Sequence, residues 1–98
     1  MKTDVNQVKD NLDQHMDLLK KKYNVQQLGV FGSVARGDNT QTSDLDILVE
    51  FSQPIGFFKF VELENYLSKI LGTKVDLVTK KALKSAIRDD ILKEVVYV

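Results

Sequence analysis

Three aspartates and a Gly-Ser pair are the residues of this chain whose types and spacing can do chemistry. Gly32-Ser33 follows a hydrophobic run, and after ten intervening residues Asp44 and Asp46 straddle Leu45. Glycine lets a backbone come close to a phosphate, while a serine hydroxyl and neighbouring N–H groups can donate hydrogen bonds to it. If Val34-Ala35-Arg36 starts a helical turn, its free N–H groups point toward the same place. On a strand, Asp44 and Asp46 share a face, where two carboxylates repel unless a cation or hydrogen bonds intervene. Hard divalent ions such as Mg²⁺ take carboxylate and phosphate oxygens together. Asp76 sits in the apolar run Val75 to Val78, out of place there unless employed. A strand at that run, beside Asp44 to Phe51, brings a third carboxylate to the same metals. Three carboxylates suit two Mg²⁺, one binding a triphosphate and one activating an attacking hydroxyl. Singly, these features are a plain turn, a strand start and an edge residue reaching solvent. Together they predict a phosphate-and-metal site that handles a nucleotide.

The elements that must position these residues are legible in the hydrophobic spacing. Val5, Val8, Leu12, Met16, Leu19 and Tyr23 recur every three or four residues, one face of a helix capped by Thr3 or Asp4. Lys20, Lys21 and Lys22 fall in its last turn, where cations complement the helix dipole. His15, the only histidine, has no metal-ligand companion and reads as a helix-surface residue. After a break at Asn24, Val25 to Phe31 reads as a strand. Val34 to Arg36 is a helical turn ended by Gly37, and 38–43 a polar loop. Asp44 to Phe51 is the second strand, with Leu45, Ile47 and Val49 on one face.

Beyond Pro54, Ile55 to Leu71 is mostly apolar at helical spacing, with Glu64 among the apolar positions and Gly72 at its C′. Phe57 and Phe58 are adjacent, so one of them is either partner surface or part of a second buried face. Lys74 to Val78 is a short third strand. Thr79 caps a last helix whose face is Leu83, Ile87 and Ile91, and Val95 to Val98 is a final β-prone run. Lys80, Lys81, Lys84 and Arg88 near that helix read as a solvated face. The expected fold is α/β with an α+β-like character: one domain over residues 1–98, a small mixed sheet of about four strands packed with helices.

Composition narrows the function classes. Fourteen basic and fourteen acidic residues give a formal net charge of zero, without the basic surplus of a general nucleic-acid binder. There is no cysteine, hence no disulfide framework and no thiolate chemistry. The first residues lack an apolar signal core and no segment approaches transmembrane length, so the expectation is a cytoplasmic protein without membrane contact.

The run Phe31-Gly32-Ser33-Val34-Ala35-Arg36-Gly37-Asp38, with Ser43-Asp44-Leu45-Asp46-Ile47-Leu48-Val49-Glu50-Phe51, resembles the signature of the DNA polymerase β-type nucleotidyltransferase superfamily. The resemblance is to its minimal branch, the MNT-domain proteins, and it covers most of the chain. It implies a polymerase β-like fold, Asp44, Asp46 and Asp76 as Mg²⁺ ligands, and Asp76 as general base. It implies Gly32 and Ser33 as triphosphate ligands; Arg36 either contacts phosphate or pairs with Asp38 or another acid to fix the loop. The minimal branch is similar to the antitoxins of HEPN-domain RNase toxins. The implied reaction is transfer of AMP from ATP to a toxin tyrosine, with binding-only neutralisation and transfer to RNA or a small molecule as alternatives. In a chain of 98 residues with no acceptor-binding domain in view, a protein acceptor that brings its own surface is the expected partner.

Overall fold

A computed structural model describes residues 3–83 and 85–98. Its elements run α1 (Val5–Tyr23), β1 (Val25–Phe31), α2 (Ser33–Arg36), β2 (Leu45–Phe51), α3 (Phe57–Leu71), β3 (Val75–Thr79), a 3₁₀ turn (Lys80–Ala82), α4 (Ser85–Glu94) and β4 (Val96–Tyr97). The four strands form one mixed sheet in the order β3-β2-β1-β4. β1 is antiparallel to both β2 and β4, while β3 lies parallel to β2. That parallel step needs a crossover, and α3 supplies it.

Residues paired across strands share a face, so the register divides the sheet in two. Leu28, Val30, Leu45, Ile47, Val49, Val75 and Leu77 belong to the core with Val8, Leu12 and Leu19 of α1 and Leu63 and Leu67 of α3. The strand face expected at Leu45, Ile47 and Val49 is therefore the core face. The opposite face carries the pairs Phe31–Asp46, Gly29–Leu48 and Asp46–Asp76. The candidate chemistry thus sits on the face turned away from the main core.

Local signals hold the frame. The Asp4 carboxylate accepts the Asn6 N–H at 2.7 Å, capping α1. Asn24 ends it in the left-handed region, and Lys20, Lys21 and Lys22 fill the last turn. Gly72, at φ 67°, ends α3. His15 is half-buried rather than on the helix surface: its Nδ1 hydrogen-bonds the Asn11 carbonyl at 2.8 Å and its ring packs edge-on to Tyr66.

Other boundaries shift from expectation for local reasons. β2 begins at Leu45, one residue after Asp44, and α3 begins at Phe57, after Gly56 in an extended conformation. Thr79 caps the 3₁₀ turn, not the last helix, by accepting the Ala82 N–H at 3.2 Å. α4 starts only at Ser85 and has no buried residue; Ile87 on its expected apolar face is exposed. Leu83 precedes that helix altogether. Phe57 and Phe58 are both exposed and pack edge-on to one another, centroids 5.8 Å apart. Of the expected basic cluster, Lys84 lies outside the described residues; Lys80 pairs with Glu50 at 3.2 Å, and Lys81 and Arg88 are exposed. No helix among the described residues is long and apolar enough to cross a membrane.

Candidate active site

The site begins where β1 ends. Gly32 leaves the strand at φ 76°, ψ −153°, a conformation that is almost exclusive to glycine. A Cβ here would also collide with Oδ2 of Asp46, so the missing side chain serves twice: it permits the turn and lets the carboxylate lie against the backbone. α2 follows for one turn, with Arg36 N–H donating to the Gly32 carbonyl and Asp38 N–H to that of Ser33, both at 3.1 Å. Gly37, at φ 80°, closes it in the left-handed region. The first N–H groups of a helix have no intrahelical acceptor. Those of Ser33, Val34 and Ala35, with the Ser33 hydroxyl, are the donors this turn leaves open among the described residues.

Asp46 lies beside Phe31 on one side and Asp76 on the other, at matched register. Asp76 is exposed on the edge strand, and Asp44 is exposed just before β2. The edge strand is held by α3. Ser68 Oγ accepts the Val75 N–H at 3.0 Å and Glu64 Oε2 accepts the Leu77 N–H at 2.9 Å, so the backbone on both sides of Asp76 is fixed. Glu64 therefore stands among apolar positions of α3 because a strand edge needs its oxygen.

The electrostatics match the expected crowding. Burial first, then the charges of Asp76 and Asp44, push the Asp46 carboxyl above the usual carboxylate range; Arg36 pulls the other way. Among the described residues Asp44 pairs with Lys74 Nζ at 3.9 Å, and both are well exposed, so that pair relieves little. An oxygen-only donor set with an unrelieved excess of negative charge fits a hard divalent cation. Among the described residues no three acidic or histidine side chains stand close enough together to hold an ion as they are. The structure brings Asp46 and Asp76 side by side and Asp44 nearby, but the Asp46 carboxylate is turned onto Gly32.

Arg36 takes the ion-pair reading. Its Nε donates to Asp38 at 3.2 Å and its Nη1 to both oxygens of Glu94, at 3.3 and 3.2 Å. Glu94 also accepts the Gly32 N–H at 3.0 Å. Sequence reasoning missed this residue: it lies 62 positions from Gly32, and its only local mark is an acid beside the terminal β-prone run.

The sequence and the fold, compared with those of known proteins, place the chain in a family. Residues 12–98 match the model of the nucleotidyltransferase domain family, and the chain belongs to that family. More narrowly, it is a nucleotidyltransferase of the minimal type. It is 48% identical to a Methanocaldococcus jannaschii protein provisionally named a protein adenylyltransferase, over the whole of both chains. It is 46% identical to the protein adenylyltransferase MntA of Thermococcus cleftensis, across 94% of this chain and 93% of that one. A solved structure provisionally described as a minimal nucleotidyltransferase superposes with a TM-score of 0.80 at 30% identity, covering 96% of this chain and 95% of its own. The fold is also that of a toxin–antitoxin structure solved with AMP-PNP, at TM-score 0.72 and 24% identity, covering 89% and 71% of the two chains.

Proposed function

We propose that this chain transfers AMP from ATP to a tyrosine hydroxyl of a HEPN-domain RNase toxin and thereby acts as its antitoxin. The observation that carries the reading is the Asp46–Asp76 pair at matched register, with Asp46 against Gly32 at the mouth of a turn rich in open N–H donors. The names of relatives support the acceptor class. The Thermococcus protein is named a protein adenylyltransferase, and one solved structure of this fold is a Shewanella oneidensis MNT antitoxin with a tri-AMPylated HEPN toxin.

In this reading the Ser33 hydroxyl and the N–H groups of Ser33, Val34 and Ala35 bind the β- and γ-phosphates, and Gly32 lets the phosphates approach the backbone. Asp76, exposed toward the incoming partner, accepts the tyrosine proton. The phenol oxygen forms a bond to the α-phosphorus, the bond from that phosphorus to the bridging oxygen breaks, and pyrophosphate leaves. Asp44, Asp46 and Asp76 would hold Mg²⁺, as two ions in the arrangement expected above, and the metal would supply charge neutralisation at the phosphates and a more acidic hydroxyl.

The test mixes the protein with labelled ATP, Mg²⁺ and a candidate HEPN toxin. Label should pass to toxin tyrosine. Because metal ligation contributes several kcal/mol at the transition state, changing both Asp44 and Asp46 to Asn should lower the rate at least about a hundredfold. A double variant that no longer labels the toxin yet still protects cells would make occlusion the mechanism instead.

A further inference from the structure

Glu94 joins the end of α4 to the Gly32–Arg36 turn, 62 and 58 positions away in sequence. Its Oε1 accepts the Gly32 N–H at 3.0 Å, and both its oxygens accept from Arg36 Nη1 at 3.2–3.3 Å. These contacts seize the two ends of the phosphate-side turn: Gly32 opens it and Arg36 is its last residue. Asp38 accepts from Nε on another edge of the guanidinium, so Arg36 is held between two carboxylates through Nε and Nη1. The donors between the two clamped ends are the ones left open.

The fold delivers Glu94 there deliberately. α4 ends at Glu94, and two residues later β4 pairs with Gly29 and Val30 of β1. The Val98 N–H then donates to the Leu28 carbonyl at 3.0 Å. β1 runs straight on into the turn, so a strand of only two residues registers the C-terminal segment against the piece of chain that makes the turn. At Gly29 there is no room for a side chain, because Val95 Cγ2 and the Tyr97 ring occupy that space. The glycine lets this terminal segment lie close.

We propose that Glu94 is a positioning residue for the nucleotide: it locks the Gly32–Arg36 turn so that the open N–H groups and the Ser33 hydroxyl meet the β- and γ-phosphates. Glu94 itself touches neither nucleotide nor metal. Arg36 in this scheme serves the turn and not the phosphate. The proposal rests on the nucleotide reading above and adds a residue and a mechanism to it. A carboxylate on a backbone N–H and an arginine makes charge-assisted bonds, stronger and more directional than neutral ones. Their loss should leave the fold standing but let the turn move. The penalty should then fall on ligands that carry β- and γ-phosphates.

The experiment measures the affinities of AMP-PNP and of AMP, each with Mg²⁺, for the wild type, Glu94→Ala and Glu94→Gln by calorimetry, and follows the Gly32 amide by ¹⁵N NMR. Glu94→Ala should weaken AMP-PNP about tenfold, equivalent to losing one charged hydrogen bond, and change AMP less than about twofold. Glu94→Gln keeps an acceptor for Gly32 and should lose about threefold, with the Gly32 amide shifted less than in Glu94→Ala; it also carries the test if the alanine variant does not fold. Variants that bind AMP-PNP as well as wild type, or better, overturn the proposal, the latter by making Glu94 a competitor of phosphate. Equal weakening of AMP and AMP-PNP overturns it in favour of a general structural role. Wild type that binds neither nucleotide defeats the nucleotide reading itself and this proposal with it.

Discussion

Asp46 is where stability and chemistry oppose each other. Its carboxyl is pushed above the usual range by burial and by Asp76 and Asp44, so the native state holds a proton there more tightly than the unfolded chain does. The corresponding stability is fully present below the unfolded pKa, near 4 for an aspartate, and is lost as the pH rises through the higher folded value. At neutral pH an ionised Asp46 therefore costs folding free energy. Asp46→Asn should raise the thermal midpoint at pH 7, by up to about 4 °C, while abolishing transfer. The gain should vanish when the melts are repeated near pH 3. A midpoint that falls at pH 7 would show that the Asp46 charge is already compensated. At this scale much was legible in the sequence. Gly32, Ser33 and the three aspartates were readable because turn chemistry and a period of two act over a few residues. Glu94 was not, because nothing local ties it to Gly32. Nor was the turning of Asp46 onto Gly32, which depends on how two neighbouring strands pack.

At the scale of elements, the site hangs on two attachments that hydrophobic spacing does not encode. One is α3, whose Glu64 and Ser68 accept the outward N–H groups of β3 and so fix the strand that carries Asp76. The period of α3 was evident, and Glu64 stood out as an acid among apolar positions, but its partner lies on another element. The other attachment is β4, which β-propensity suggested and register explains. Gly29→Ala places a methyl where Val95 and Tyr97 sit. Overpacking of this kind costs about 1–3 kcal/mol. The alanine should pull β4 from β1 and carry Glu94 away from the turn. Urea melts should show a loss in that range, with the amides of Val96 and Tyr97 losing their protection in hydrogen exchange first. Loss spread evenly over all four strands would mean that β4 is not the weak attachment. The expected helix face of Leu83, Ile87 and Ile91 is only partly covered, with Leu83 and Ile91 half-buried and Ile87 exposed. Three apolar residues at helical spacing say that a face exists, not that anything covers it.

The whole molecule is asymmetric about its sheet. One face is closed by α1 and α3 over a continuous core, in which Leu12, Leu19, Leu28, Ile47, Leu63 and Leu67 are fully buried. The other face carries the candidate chemistry, with α4, which contributes no buried residue, leading into β4 at its margin. Local stability should follow that division, because opening free energy tracks buried apolar contact. Amides of Leu28, Val30, Ile47 and Val49 should exchange only through global unfolding, at about 5–15 kcal/mol for a domain. Those of α4 should exchange at far lower cost. Its sequence does not reveal this, since a ten-residue helix with a Lys-rich approach reads the same whether it packs or not. Nucleotide then gives the discriminating measurement. A ligand seated on the turn stabilises the locked arrangement, and Glu94 couples that arrangement to the last turn of α4. Saturating AMP-PNP with Mg²⁺ should therefore slow exchange at Leu92, Lys93 and Glu94 several-fold, while leaving Ser85 to Ile87 unchanged. With Glu94→Ala the slowing should disappear although nucleotide still occupies the site. Uniform slowing along the whole helix would instead mean that the ligand contacts α4 directly.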